Sequence, residues 1–357
     1  MFKYLRLLLL PFSLLYGLIV EAIKLSYQKG FLHAERFDIA SIVVGNLSTG
    51  GTGKTPHVEY IIRFLKNYHH VAVLSRGYGR KKSGLRLVNL NDTVEEVGDE
   101  PLQIAQKFPE IPILVSENRL KGLEKIQRFN PRPQMVILDD AMQHWALKAD
   151  FYLMLTTYQQ PFFEDYVLPA GNLREFAFNY KRANAIIVSK CPSDLSKEEA
   201  DRFLQKMKPL PHQKVFFSYL KYGQAYRHAM PEIHLDWEEL SKQQVLLVSG
   251  IADANPLEKE LQSRGISFKH LKFPDHHHYT SSDWKKIMTS FEQLKSNSQH
   301  CLMLSTEKDA VRLHSLADSS IPLYILPIEV DIAFDMAPHL QRVLVEVMYK
   351  KKGYPVS

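Results

Sequence analysis

Cysteine is nearly absent from this chain. Cys191 and Cys301 are the two present among 357 residues, far apart and outside any CxxC or Cys/His spacing. Neither a disulfide framework nor a zinc site is indicated, and a reducing cytosol is the simpler home. Internal repeats, low-complexity tracts and heptads are also lacking, which argues against a solenoid, a disordered linker or a coiled coil. The one greasy segment is short. Residues 7–20, LLLLPFSLLYGLIV, are fourteen uncharged residues bounded by Arg6 and Glu21. As a helix they would measure roughly 21 Å, less than the ~30 Å of a bilayer core, so the expectation is that they do not span it. A signal peptide is the obvious rival, with Lys3 and Arg6 as its basic region, but Val20, Glu21 and Ala22 make a poor cleavage site. The favoured reading is a helix at residues 1–30 lying in a membrane interface, with Lys3, Arg6, Lys24 and Lys29 placed to meet anionic headgroups. An ordinary buried helix is the bland alternative.

The remainder has the composition of a soluble protein long enough for two domains. Its 45 Lys and Arg exceed its 39 Asp and Glu, which favours an anionic partner without choosing among nucleotide, phospholipid and nucleic acid. From residue 39 onward, short apolar runs alternate with stretches of helical period, the pattern of an α/β fold with mostly parallel sheets. Strands are predicted at 39–44, 71–74, 113–115, 135–138, 152–155 and 185–188, and then at 215–219, 245–248, 268–272, 301–305 and 324–326. The polar stretch KYGQAYRHAMPE interrupts this alternation near 220–230. The division is therefore read as 1–30 interface helix, 31–225 larger domain and 226–347 smaller α/β domain.

The sequence VVGNLSTGGTGKTP at 43–56 carries the first chemistry. Gly53, Lys54 and Thr55 match the end of a P-loop, where backbone N–H groups and a lysine hold a polyphosphate and a hydroxyl reaches Mg²⁺. Ser48 stands where the strict pattern has its first glycine, while Thr49, Gly50, Gly51 and Thr52 fill the loop. A strand before it and helical spacing of Val58, Ile61, Ile62 and Leu65 after it supply the context the motif needs.

Further constellations follow. MVILDDA places Asp139 and Asp140 at the mouth of a strand, where P-loop folds supply a carboxylate for the cation. One of the pair is expected to face it, unless the stretch is simply a turn. Gln143 and His144 follow at the end of the sheet that binds ligands in open α/β folds. Asp99, in VGDEP, reads equally as a helix N-cap and as a group that orients or deprotonates a hydroxyl. In FPDHHHYTSSDW, three consecutive histidines cannot all face one ion, so an Asp-His proton-transfer pair fits better than a metal site. Arg76, Arg119, Arg174 and Lys308 are candidate phosphate contacts, though any one of them is more often a solvated charge.

Together GNLSTGGTGKTP, SRGYGR, GDEP, LDDAMQHWAL, LPAGNLRE, SGIADANP, FPDHHHYTSSD and STEKDAV resemble the tetraacyldisaccharide 4'-kinases of lipid A synthesis, over about residues 40–330. The resemblance implies a P-loop NTPase-like α/β fold of two α/β/α (Rossmann-like) lobes with an N-terminal membrane-associated helix. It implies transfer of the γ-phosphate of MgATP to the 4'-hydroxyl of a lipid A disaccharide 1-phosphate, giving lipid IVA at the cytoplasmic face of the bacterial inner membrane. No nucleic acid or obligate protein partner is expected. Carried over by motif, Ser48 to Thr55 with Gln143, His144 and Arg174 would bind nucleotide. Thr55, Asp139 and Glu175 would hold the metal, and Asp139 and Asp140 would face the transition-state charge. Asp99 would act as base helped by His276, with His277 the alternative. Ala141, Met142, Trp145 and Ala146 depart from the family's usual Gly-Phe and basic residues. The rival readings are a P-loop switch or metallochaperone ATPase, and a membrane-tethered adaptor.

Overall fold

The computed structural model describes residues 6–353 apart from Asn297, Gln299, Ser315 and Ser319. Lys3 and the end of the basic tail, 354–357, lie outside the described residues. The strands are β1 (Ala40–Asn46), β2 (Val71–Ser75), β3 (Arg86–Leu87), β4 (Ile113–Val115), β5 (Met135–Asp139), β6 (Phe151–Thr157), β7 (Ala185–Ser189) and β8 (Lys214–Tyr222). They continue with β9 (Ala225–Arg227), β10 (Met230–Leu235), β11 (Gln244–Ser249), β12 (Ser267–Lys272), β13 (Cys301–Thr306), β14 (Leu323–Leu326) and β15 (Ile328–Ile332).

Two compact units result. The first holds the described residues up to Val97, Ile104–Leu220 and those from Val330 onward, and the second holds Gly98–Gln103 and Lys221–Glu329. The interruption in composition near 220–230 thus coincides with a boundary, whereas β15 ends among first-unit residues and the helix Ala337–Lys351 lies wholly within them.

In the first unit a nine-stranded sheet runs β15-β8-β7-β6-β1-β5-β2-β4-β3. β1 pairs in parallel with β5 on one side and β6 on the other. All seven residues of β1 are buried, because a parallel strand covered on both faces needs apolar side chains on both. Ala40, Ile42 and Val44 join one core with Val58, Ile61, Ile62 and Leu65 of the helix Lys54–Leu65. Val43 faces the opposite core with Leu123 and Ile126, as the two-residue period of a strand requires. Successive strands depart to either side of β1, so its carboxyl end is the switch point where open α/β sheets bind ligands.

The second unit has a six-stranded sheet, β10-β9-β14-β13-β11-β12. Val245, Leu247, Leu302 and Leu304 pack on Leu257 and Leu261 on one face. Leu246, Val248 and Met303 pack on Ile287 and Phe291 on the other. Every strand expected from an apolar run is present. The unpredicted ones, β3, β9, β10 and β15, are short or at the sheet edge, and β3, β9 and β10 pair antiparallel. Such strands need no continuous apolar run and leave little sequence signal.

The N-terminal apolar helix is longer than its uncharged run. It spans Leu10–Gln28, 19 residues, and by length and composition is sufficient to cross a membrane. It continues through Glu21 and Lys24, which pair with each other, because Asn179 takes both: Lys24 Nζ donates to Asn179 Oδ1 at 2.5 Å and Asn179 Nδ2 to Glu21 Oε2 at 3.1 Å. Gly17 allows close approach, since a Cβ there would stand 2.5 Å from the Phe176 ring.

One contact in the sheet ties core packing to the segment after β5. A Cβ on Gly45 of β1 would overlap the Met142 side chain, 3.1 Å from its Cβ and nearer still to Cγ, and Met142 is 1% exposed. Gly45→Ala is therefore expected to destabilise by about 1–3 kcal/mol through overpacking. Adding Met142→Ala should return part of that loss, read as non-additive chemical denaturation midpoints.

Candidate active site

The first group of candidate residues gathers at the carboxyl end of β1. Gly50 and Gly53 have φ of 107° and 80°, a left-handed backbone that costs glycine little. Gly53 is the residue from which the helix Lys54–Leu65 starts. Thr52 is held on two sides, its hydroxyl accepting from Asn46 Nδ2 at 3.0 Å and its carbonyl from Ser189 Oγ at 2.8 Å. Ser48 bridges to Leu173, and Thr49 N donates to the Asn172 carbonyl at 2.7 Å. Gly51 and Thr55 complete the loop, with Thr55 in the first helical turn. Lys54 Nζ lies 3.4 Å from Asn46 Oδ1 and 3.7 Å from Asp140 Oδ2.

Register brings the aspartates here, since Val44 of β1 pairs with Asp139 of β5. The strand stops at Asp139, and Asp140 adopts φ 46°, a conformation rare outside glycine and concentrated at functional positions. The two carboxylates consequently have different surroundings. Asp140 accepts from Arg174 Nη1 at 3.0 and 3.1 Å. Asp139 is buried; Ser75 Oγ donates to its Oδ2 at 3.0 Å, while its Oδ1 has no hydrogen-bond partner. Burial, and then the neighbouring Asp140, push the Asp139 carboxyl above its ordinary pKa. An orphaned, buried carboxylate oxygen at the end of the strand beside β1, within the field of the P-loop Lys54, fits a hard divalent cation such as Mg²⁺.

Glu175, the other acidic residue of this group, is held differently. It is fully buried, and its oxygens accept from Arg182 Nη1 at 2.6 Å, Arg182 Nη2 at 2.7 Å and Gln143 Nε2 at 2.7 Å. Three protein donors engage three of the carboxylate's roughly four lone pairs, so Glu175 is fixed in place with one lone pair left over. Gln143 also donates to the Asn46 carbonyl at 2.9 Å, linking this cluster to the strand below the loop. His144 Nε2 is buried without a partner, and burial followed by Arg119 and Arg76 brings its pKa down to about 4, leaving it neutral. Arg119 is not available to a substrate anion: it is 3% exposed and donates to the Ser116 and Asp139 carbonyls at 2.7 and 3.2 Å.

The second group lies in the second unit. Asp99 begins the helix Asp99–Lys107 and is 3% exposed. His276 Nδ1 is 3.0 Å from Asp99 Oδ2, and His276 has φ 55°. His277 is instead bonded to Asp283 through Nε2 at 3.1 Å. The ring facing Asp99 is thus His276, a choice between adjacent histidines that depends on backbone conformation. Lys308 Nζ stands 3.1 Å from Glu100, 3.7 Å from Asp99 and 3.0 Å from His276 Nε2. One oxygen each of Asp99 and Glu100 and a ring nitrogen of His276 come within 4.8 Å of one another, but the lysine beside all three already compensates their charge.

Arg312 is the important residue that motif reading missed. It is 7% exposed, pairs with Asp99 through Nη2, and donates to the Gly250 carbonyl at 3.1 Å through Nη1. Asp309, one helical turn earlier, accepts from Gly250 N at 3.0 Å and the Tyr279 hydroxyl at 3.1 Å. The signal was the three-residue spacing between Asp309, within STEKDA, and Arg312, two residues beyond it. Burial alone would raise the Asp99 pKa. The bonds with the His276 and Glu100 side chains, with the charges of Lys308 and Arg312, outweigh it and hold the carboxyl well below the usual range. The same Asp99 contact raises His276 above its ordinary value despite partial burial. The pair is therefore a buried, oriented carboxylate and a more exposed imidazole of increased basicity.

The family described as LpxK, tetraacyldisaccharide-1-P 4'-kinase, matches residues 5–349. The tetraacyldisaccharide 4'-kinase of Flavobacterium johnsoniae is 41% identical over 332 residues, covering 91% of this chain and 92% of the relative. That of Bacteroides thetaiotaomicron is 39% identical over 337 residues, covering 91% and 88%. The crystal structure of LpxK from Aquifex aeolicus in complex with ATP superimposes with a TM-score of 0.76 at 30% identity, over 97% of this chain and 100% of that one. A P-loop at the switch point, two α/β units and a likeness spanning nearly the whole length lead to one conclusion: the chain belongs to the tetraacyldisaccharide 4'-kinase family.

Proposed function

We propose that this chain transfers the γ-phosphate of ATP to the 4'-hydroxyl of a tetraacyldisaccharide 1-phosphate, making lipid IVA for lipid A. The observation that carries the reading is the P-loop at the end of β1 beside the orphaned Asp139 oxygen, in a chain aligned almost end to end with lipid kinases. Relatives of matching length disfavour a switch or metallochaperone.

In this mechanism the loop amides other than those of Thr49 and Thr52, which are bonded to protein carbonyls, hold the polyphosphate together with the Lys54 side chain, and Arg174 adds a second cation beside Asp140. Asp139 and Thr55 would hold Mg²⁺, whose chemistry is to neutralise charge on the transferring phosphoryl oxygens. The His276–Asp99 pair takes the proton of the 4'-hydroxyl as its oxygen bonds to the γ-phosphorus. The bond from phosphorus to the β–γ bridging oxygen breaks, and ADP leaves. Asp99 is too strongly stabilised as a carboxylate to be a good base by itself, so its part is to orient His276 and support the imidazolium. The loop belongs to the first unit and the proton-accepting pair to the second.

The lipid acceptor also calls for residence at a membrane, proposed to be the cytoplasmic face of the bacterial inner membrane. Leu8, Phe12, Leu15 and Ile19 are 73, 63, 58 and 52% exposed, while Glu21 and Lys24 are tied to Asn179. A helix whose charged end is fixed to the protein and whose apolar side chains face outward suits an interface better than a crossing.

Three measurements test this reading. Transfer of labelled γ-phosphate from MgATP to lipid A disaccharide 1-phosphate in mixed micelles should occur, and should fall by at least roughly 10²-fold in Lys54→Ala and in Asp99→Ala. ATP hydrolysis without labelled lipid would instead support a switch. The acid limb of kcat/KM should lie above the ordinary histidine value of about 6.5, because neutral imidazole is the reactive form and Asp99 favours its protonation. Asp99→Asn should move that limb to lower pH as well as slow the reaction, and an unmoved limb would remove His276 from the role. Changing Leu8, Phe12, Leu15 and Ile19 together to Ser should weaken binding to anionic vesicles by roughly tenfold or more through lost apolar burial. Unaltered vesicle binding would count against the anchor.

A further inference from the structure

The helix after the P-loop contains a histidine that the reaction above does not use. His57 is fully buried, with Nδ1 2.7 Å from the Gly53 carbonyl and Nε2 2.9 Å from Ser218 Oγ on β8. A carbonyl only accepts, so Nδ1 carries the proton; Nε2 is then bare and accepts the Ser218 hydroxyl. Burial brings the His57 pKa down to about 4, in keeping with a neutral ring. The ring bond is the shorter of two reaching this carbonyl, since the backbone N–H of His57 lies 3.3 Å from it. Ser218, 1% exposed, is itself fixed, its carbonyl accepting from Cys191 N at 2.9 Å.

The adjacent peptide is held in the same way. Ser189, at the end of β7 and fully buried, donates from Oγ to the Thr52 carbonyl at 2.8 Å and also reaches the Thr156 carbonyl at 3.2 Å. Two successive carbonyls of the loop are thus pinned by side chains supported from β7 and β8. In a trans peptide the N–H points opposite to the C=O of the same plane. Fixing the Thr52 carbonyl therefore aims the Gly53 amide, and fixing the Gly53 carbonyl aims the Lys54 amide. These belong to the set of loop amides that cradle a polyphosphate.

We propose that His57, with Ser218 behind it and Ser189 beside it, is a positioning residue for nucleotide: the three side chains pin the Thr52 and Gly53 carbonyls so that the next two amides are oriented toward phosphate before it arrives. This deepens the kinase reading and rests on it. The gain is in affinity, because the loop is not reorganised on binding, and it is separate from proton transfer in the second unit. Sequence alone hides such a device, since a histidine on the buried face of a helix looks like any core residue.

The test is calorimetric titration of MgATP into the full-length protein, with kcat measured at saturating ATP. His57→Phe, which keeps the ring and loses both nitrogens, should weaken ATP binding about tenfold, the effect of losing one buried hydrogen bond. His57→Asn, whose amide can still donate to the Gly53 carbonyl, should recover most of that affinity. Ser218→Ala and Ser189→Ala should each weaken binding severalfold, and kcat should stay within about threefold throughout. Wild-type ATP affinity in the serine variants, or His57→Asn no better than His57→Phe, overturns the proposal. Should His57→Phe fail to fold, the serine variants decide, since each deletes a single oxygen. A wild-type protein that binds no ATP would overturn the kinase reading itself.

Discussion

A polyphosphate loop works only if its amide hydrogens are left to the ligand, and that constraint orders the first unit. Amides committed to a strand or helix ladder are already spent, so the chain must leave β1 and enter a helix through a turn that uses neither. The left-handed backbone at Gly50 and Gly53 makes that turn. Such a turn is soft unless something else fixes it, and the surrounding sheet supplies the fixing. Asn46 reaches back from β1, Ser189 comes from β7, and the segment carrying Asn172 and Arg174 pairs with Ser48, Thr49 and Leu47. Full burial of β1 between two apolar layers gives these groups a rigid base.

Charge burial orders the second unit. Asp99 is enclosed with Arg312, Lys308 and His276, and Asp309 balances Arg312 from the other side. Removing a carboxylate from water costs several kcal/mol, an amount that its neighbours must offset with charge and hydrogen bonds. The consequence is a division of labour. Asp99 is held as a carboxylate, while the same contact raises His276, at its edge, above its ordinary pKa. The left-handed backbone at His276 turns its ring inward while the next histidine is directed to Asp283.

Much of this was legible from residue order. Buried parallel strands announce themselves as apolar runs, and the P-loop, Asp139, Asp99 and the DHH segment stood out by motif and place. What escaped has physical reasons. Edge strands need only one buried face or none, as in β10, where five of six residues are exposed. The return of β15 and the last helix to the first unit is a matter of packing between distant segments. Glu175 entered through the resemblance, and its partner Arg182, seven residues on and 2.7 Å away, is not announced by its place in the sequence. The fate of a carboxylate depends on what arrives from elsewhere in the chain. Arg312 was overlooked for the converse reason, an arginine being ordinarily a surface charge.

Trp145 illustrates how a departure from a family pattern can be absorbed. Its ring lies over the Arg182 guanidinium, 4.5 Å from centroid to carbon, and Arg182 also donates to the Met142 carbonyl at 2.9 Å. Where the family usually places a basic residue, this chain has an aromatic cover on a cation already committed to Glu175. A positive group at 145 would sit against Arg182 and repel it, so the cover on this cation has to be neutral.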